Sequence, residues 1–293
     1  MIVRRQDNVR TRLASDIGGT FTDVAAFDPT SGRMLLGKTL STPADLADGI
    51  TRAVGKAGTT YADAALFLHG STIAINTMLE RTGAKAGLLI TEGFRDIYEI
   101  GRINRPDAYN LFFTKHVPLI ERALCFEVRE RLTAEGDVDT PLDEDSVHKA
   151  CDQLITEDVQ AVAIMLFHCY RNPAHESRVK AIVQARLPHA FVTASHELSQ
   201  EYREFERCST VAANAFIGPR VSQYIASIDA HLNRAGFTGH FLLVHSTGRL
   251  YESKQAQVPC LRLLESVPRR SAVRYRSLMR SPSIWAAPLP KPE

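Results

Sequence analysis

Asp16-Ile17-Gly18-Gly19-Thr20-Phe21-Thr22-Asp23 is the stretch from which the rest of the chain is read. Leu13–Ile17 before it and Phe21–Phe27 after it carry the short apolar patterns of strands. Asp28-Pro29-Thr30-Ser31-Gly32 is a turn, and Arg33–Thr39 is a third strand. Strands joined by such tight turns pair antiparallel. The Gly18-Gly19 pair then sits on the first turn, where glycine lets the backbone approach a bound group and expose successive N–H donors to an anion. The Thr20 and Thr22 hydroxyls add donors, and Asp16, at a strand end, is a hard oxygen ligand suited to hydrated Mg²⁺ beside phosphates. An ordinary Gly-Gly hairpin turn is the plainer alternative. The acid before the glycines and the Thr-x-Thr-Asp after them favour nucleotide phosphate. The chain has neither a G-x-G-x-x-G nor a Walker A pattern.

Outward from this hairpin the pattern alternates helix and strand. Thr42-Pro43-Ala44-Asp45 opens a helix with a capping residue and a proline at its first position, Leu46, Ile50 and Val54 form its apolar stripe, and Gly58 ends it. A strand at 65–69, a helix at 72–81 and a strand at 87–91 come next, and 101–120, with Pro106 and Pro118, is irregular. The helix at 144–156 should bury Val147, Cys151, Leu154 and Ile155. The near-continuous apolar run Val159–Phe167 suits a central strand covered on both faces. Asn172-Pro173 opens a helix that Pro188 ends, and 191–194 is a strand. The helical pattern at 199–235 should kink or restart at Gly218-Pro219, and 241–244 is again strand. This alternation defines an α/β fold.

The chain has 293 residues, 44% of them hydrophobic and 23% charged, which suits one large or two ordinary soluble domains. Its net charge of +2 argues against a nucleic-acid binder. That charge is unevenly held: residues 267–293 carry six Lys or Arg against one acid, so the rest is acidic. The five cysteines, Cys125, Cys151, Cys169, Cys208 and Cys260, form no C-x-x-C pair and read as reduced buried thiols. Residues 1–12 lack the apolar core of a secretory signal, and the longest apolar run is far shorter than a membrane span. No membrane contact and a cytoplasmic location are the expectation.

Three further motifs carry chemistry-bearing residues. In His69-Gly70-Ser71-Thr72-Ile73-Ala74-Ile75-Asn76 a strand ends at His69, Gly70 turns, and Ser71 and Thr72 start a helix. That is where α/β folds place ligands, although on composition alone a Ser cap beside a structural His is the favoured reading. Gly93-Phe94-Arg95-Asp96 and the segment from there to Pro106, with Arg102, form either an anion clamp or a solvated loop with surface ion pairs. In Glu201–Thr210, Tyr202 and Phe205 should face the core, and Glu204 and Arg207, three apart, should pair on the surface. No zinc-ligand spacing and no G-x-S-x-G are present.

Taken together, Asp16–Asp23, His69–Asn76, Leu-Glu-Arg-Thr-Gly-Ala (79–84), Gly93–Asp96 and Glu99-Ile100-Gly101-Arg102 resemble the hydantoinase A/5-oxoprolinase family. Arg203–Thr210 and Asn214-Ala215 continue in the family's order, and the resemblance runs over about residues 12–266. It implies a fold of the actin-like ATPase (ribonuclease H-like) class, here its N-terminal half, with a mixed sheet and flanking helices. It also implies ATP and Mg²⁺ as cofactors, a small cyclic-amide substrate opened after phosphoryl activation, and a second hydantoinase B-type subunit as a candidate partner in an oligomeric full-length enzyme. Related ketone carboxylase subunits share the motifs, and a non-catalytic interaction fragment is the remaining alternative. On this resemblance Asp16 (also the metal ligand) and His69 are catalytic, Gly18, Gly19, Thr20, Thr22 and Asp23 hold the cofactor, and Ser71, Thr72, Asn76 and Arg102 line the substrate cleft.

The resemblance divides the chain into 1–195, an N-terminal domain; 196–266, the incomplete start of the main domain; and 267–293, a tail expected to be disordered. Family chains are more than twice this length and carry a second Asp-x-Gly-Gly-Thr loop. Where they continue Glu-Ser-Gly-Pro-Ala-Ala-Gly, this chain reads Glu265-Ser266-Val267-Pro268-Arg269-Arg270. Loss of one base from GC-rich codons for Gly-Pro-Ala-Ala yields Val-Pro-Arg-Arg. The expectation is therefore a frameshift near residue 266 and a chain inactive alone, with a natural basic tail as the alternative.

Overall fold

The structure is a computed structural model and describes residues 11–42, 46–102, 109–113, 117–246, 249–253 and 259–264. In chain order the elements are β1 (Thr11–Ile17), β2 (Phe21–Phe27), β3 (Met34–Leu40), α1 (Leu46–Lys56), β4 (Ala64–Ser71), α2 (Ile73–Leu79), β5 (Ala86–Thr91) and α3 (Ile97–Ile100). Then come β6 (Cys125–Val128), β7 (Arg131–Leu132), β8 (Val138–Thr140), α4 (Glu144–Thr156), β9 (Ala161–Met165), α5 (Ala174–Arg186) and β10 (Phe191–Ala194). The series closes with α6 (Ser195–Leu198), α7 (Glu204–Arg234), β11 (His240–Val244) and β12 (Leu250–Glu252).

The chain forms two compact units, one from residues within 1–75, 223–257 and 262–293, the other from 76–222 and 258–261. The second unit is thus inserted, in sequence, between β4 and β11 of the first. The expected division at 195 falls inside the second unit, because α6 and the start of α7 pack into the same core as β9 and β10. The helix opening at Pro43–Asp45 and the tail 267–293 lie outside the described residues.

The first unit is built on a six-stranded sheet in the order β12-β11-β4-β1-β2-β3. The first three strands form the antiparallel meander that the tight turns predict, and β4 and β11 run parallel to β1. The Asp28 carboxylate fixes the second turn by accepting from the Thr30 amide (2.9 Å) and the Ser31 hydroxyl (2.6 Å). Helix α1 packs on β2 and β3 through Ile50, Ala53 and Val54, all buried. Gly37 makes this contact possible, since a Cβ there would lie 1.9 Å from the Ala53 carbonyl oxygen.

The second unit holds a parallel sheet in the order β10-β9-β5-β6. Every residue of β9 is buried, as its apolar run predicts, because helices and sheet neighbours cover both its faces. Helices α4 and α5 and the first half of α7, through Cys208, Val211, Ala212 and Ala215, share its core. All five cysteines are buried and unbridged.

Three expectations fail here, and a fourth fails in part. Ile155 is 48% exposed, and Ala150 takes its place on the buried stripe of α4. Tyr202 is also largely exposed, because α7 starts only at Glu204. Of the kink or restart expected at Gly218-Pro219, the restart does not occur: α7 is continuous through Pro219, Ile217 and Val221 are buried on either side, and Gly218 sits so close to Phe191 that a Cβ would be 2.3 Å from its ring. Tertiary packing of the flanking turns outweighs the one hydrogen bond that proline removes. Finally, Arg207 does not pair with Glu204 on the surface. It is 2% exposed and lies 3.7 Å from the buried Glu176 carboxylate.

Candidate functional site

In the first unit β1, β4 and β11 are parallel neighbours, so their carboxyl ends share one edge of the sheet. Parallel strands present ligands at that edge, where loops leave the sheet and backbone donors are unspent. Asp16 lies there, opposite Gly70 on β4 and Asp23 on β2. His245 and Ser246 come directly after β11 at the same edge. Gly70 and Ser71 are not a turn: β4 continues through both, paired with Asp16 and Ile17. Ser71 does cap helix α2, its hydroxyl accepting from the Ile73 amide at 3.2 Å.

The Gly18–Thr20 turn is closed from below and open above. The Gly18 amide donates to the Phe21 carbonyl (3.0 Å), and the Ser41 amide donates to the Thr20 carbonyl (2.9 Å). Ser41 Oγ donates to the Gly18 carbonyl (2.8 Å) and shares a 3.1 Å hydrogen bond with the buried Thr22 hydroxyl. Thr22 therefore braces the loop from beneath through Ser41. Ser41 was missed because its only sequence signal is a hydroxyl at the end of β3. Gly19 faces open space, and neither its amide nor that of Thr20 has a hydrogen-bond acceptor among the described residues. Asp23 is exposed and held by Lys38 at 2.9 Å.

Asp16 differs from Asp23. Its Oδ1 is buried and has no hydrogen-bond partner among the described residues. Burial, and then the Asp23 charge, push its pKa up to about 6 against the opposing pull of Lys38. A carboxylate oxygen so placed is short of a cation, which fits a metal. Among the described residues no three His, Cys, Asp or Glu side chains converge as a metal cage. Mg²⁺ bound through one carboxylate, water and phosphate oxygens needs none.

His69 is fully buried and stacks on Phe67. Its Nδ1 bonds Ser15 Oγ and its Nε2 bonds the Tyr224 hydroxyl, each at 2.7 Å. Desolvation lowers its pKa to about 3, so the ring is neutral. Tyr224 also bonds Ser71, and burial pushes its phenol pKa upward. His69 is thus the middle of a buried Ser15–His69–Tyr224–Ser71 chain, with both ring nitrogens occupied. That arrangement holds β1, β4 and α7 in place and offers no free nitrogen for proton transfer. Thr72 Oγ1 donates to the Ile17 carbonyl at 3.3 Å. Asn76 and Arg102 belong to the second unit, where Arg102 pairs with Glu206 on the surface (Nε to Oε1, 2.8 Å). The sequence reading missed Ser15 and Tyr224, whose partner lies 54 and 155 residues away.

A mixed sheet with the meander β3-β2-β1 joined to parallel β4 and β11, and an open glycine loop beside an unpaired acid, define an actin-like ATPase fold. The hydantoinase/oxoprolinase N-terminal region matches residues 12–187, and the hydantoinase/oxoprolinase family matches 207–284. The chain belongs to the hydantoinase/oxoprolinase family. It is 35% identical over 265 residues to an uncharacterised protein of Methanocaldococcus jannaschii, covering 89% of this chain and 39% of that one. It is 37% identical over 235 residues to the caprolactamase alpha subunit of Pseudomonas jessenii, covering 77% of this chain and 34% of that one. The crystal structure of that ATP-dependent caprolactamase superposes with a TM-score of 0.73 over 83% of this chain and 36% of its own. A nucleotide-free acetone carboxylase structure superposes with a TM-score of 0.80 at 26% identity, over 92% of this chain and 40% of that one. The chain thus spans two fifths or less of these relatives. No described helix is long and apolar enough to cross a membrane.

Proposed function

We propose that this chain supplies one phosphate loop of an ATP site in an enzyme that opens a small cyclic amide. The observation that carries the reading is the buried, unpartnered Asp16 Oδ1 beside the open Gly18–Thr20 turn. The Gly19 and Thr20 amides and the Thr20 hydroxyl donate to phosphate oxygens, while Gly18, Thr22 and Ser41 hold the turn in shape. Asp16 holds Mg²⁺ through its unpaired oxygen, and Asp23 with Lys38 sets the local field. The bound nucleotide supplies a phosphoryl group that turns a poor amide electrophile into one with a good leaving group. His69 keeps Ser71 and Tyr224 in register and transfers no proton. Within the first unit, Ser71 and Thr72 are the substrate-side candidates.

Sequence identity to the caprolactamase subunit supports the cyclic-amide class. The higher TM-score to acetone carboxylase supports a second reading, a ketone carboxylase subunit, in which the same loop serves the same phosphates. A second subunit and a second phosphate loop belong to either reading.

The test is amide NMR of the purified chain titrated with Mg²⁺-ATP. Gly18, Gly19 and Thr20 should shift, and Asp16→Ala should abolish the response while preserving the spectrum elsewhere. An unmoved loop, or an Asp16→Ala chain that responds equally, overturns the assignment. Phosphate release stimulated by a lactam in a chain extended to the relatives' length, with any partner subunit, favours the amide class. Release stimulated only by a ketone with bicarbonate favours the carboxylase.

A further inference from the structure

In the second unit the chain runs from β5 to β6 on one side and then to β9 and β10 on the other. All neighbours in this sheet are parallel, so the strand order reverses between β5 and β9. A crevice forms at the carboxyl ends of two such strands, because their outgoing loops diverge. Phe94 lies just beyond β5 and Phe167 just beyond β9, and their ring centroids are 4.0 Å apart. The Arg131 guanidinium lies over both rings, 4.7 and 5.1 Å from their centroids. We propose that this edge is a binding site for a small carboxylate anion, recognised by the Arg131 guanidinium and independent of the nucleotide loop.

Arg131 is half-buried, yet its side chain makes no hydrogen bond or ion pair with any described residue. Its ring contacts restrain the group and leave its N–H groups unspent. A planar fork held in this way matches a carboxylate's two oxygens. One positive charge balances one carboxylate, whereas a phosphate dianion calls for more than one cation.

The floor beneath is built from buried charge. The Phe167 amide donates to Thr91 Oγ1 (3.0 Å), and Thr91 donates to Glu130, which also binds His175 at 2.7 Å. The Leu166 amide donates to Glu176 (2.8 Å), and Arg207 donates to the Leu166 carbonyl. Glu130 and Glu176 are 3% and 0% exposed. These anchors hold His168 at φ +58°, in the left-handed region that only a few per cent of non-glycine residues adopt. Such strain persists where the surroundings over-determine it, and it collects at binding sites. The loop after β9 is therefore fixed before any ligand arrives.

The test uses the whole 293-residue chain and reads the Arg131 Nε–Hε resonance and the Phe167 and His168 amides. Sodium acetate is titrated at constant ionic strength against chloride, with inorganic phosphate in a parallel titration. Acetate should give a saturable shift at all three positions. Arg131→Gln should weaken it by roughly tenfold or more, the loss of a charge-assisted hydrogen-bond pair. Arg131→Lys keeps the charge but not the fork, so it should weaken acetate similarly, and it carries the test if the glutamine variant does not fold. Asp16→Asn should leave the acetate response unchanged, which separates this site from the nucleotide loop. A non-saturating response, equal acetate binding by Arg131→Lys, or phosphate binding as tightly as acetate overturns the proposal.

Discussion

Replacing Arg207 by methionine measures how a side chain that reads as surface in the sequence acts in the core. On an exposed helix face, a Glu204–Arg207 pair would contribute about 0.2–0.5 kcal/mol. In the structure Arg207 donates to the Leu166 carbonyl, Cys169 Sγ and Ser195 Oγ, lies 3.7 Å from Glu176 and stacks over Tyr170. Glu176 accepts from the Leu166 amide, Ser195 Oγ and both the amide and Nδ1 of His196, at 2.7–2.9 Å. Burial pushes the Glu176 carboxyl pKa up. Hydrogen bonds from His196, Cys169 and Ser195 and the Arg207 charge more than reverse that, leaving it below the usual range. Removing the cation strands a buried carboxylate, which costs about 3–5 kcal/mol. That is a large share of a stability of about 5–15 kcal/mol. Urea unfolding monitored by far-UV circular dichroism should show the loss in the second unit's transition. At about 2–4 °C per kcal/mol, its Tm should fall by about 6–20 °C. Glu176→Gln should cost a similar amount, since it puts an amide where two donors point. The double variant should fall short of additivity by at least about 1 kcal/mol. A loss below about 1 kcal/mol for Arg207→Met would refute the buried pairing.

Asp16 should weaken the unloaded fold as it ionises. Its folded pKa of about 6 exceeds the ordinary value of 3.8, so the native state binds the proton more tightly. Stability is then highest below about pH 4 on this account and declines as pH rises through about 4–6. The shift corresponds to at most about 3 kcal/mol, and partial solvent access reduces it to about 1–2. Asp16→Asn should gain that amount at about pH 7.5 and lose the slope, as read by urea melts across pH; a less stable variant refutes it. The His69 ring should stay neutral from about pH 8 down to about pH 5 in histidine NMR, since its pKa is lowered to about 3. A titration midpoint near the ordinary value of about 6.5 would show that the Ser15–His69–Tyr224 chain is not formed. Gly37→Ala should destabilise the first unit by about 1–3 kcal/mol or more in thermal melts, because its Cβ meets the Ala53 carbonyl. A neutral result would show that α1 does not pack at this distance.

Residues close together in the chain were enough to specify the local features. The β1–β3 meander, the doubly covered β9 and helix α4 at 144–156 arise from side-chain periods and turn residues that are near neighbours. The Asp16–Asp23 loop and the family were legible because their signal lies in consecutive residues. Features that depend on distant partners emerged only in the folded chain. Arg207 looks like a surface charge among Glu204, Glu206 and Arg203, and only residues 166, 169, 176 and 195 make its burial possible. His69 looks like a ligand at a strand end until Ser15 and Tyr224 take both its nitrogens. Gly70 and Ser71 carry turn chemistry, yet β1 alongside draws them into the sheet. Local pattern fixes backbone propensity and the period of burial. Which polar atom stays unpaired, as at Asp16, is settled only when elements far apart in sequence close around it.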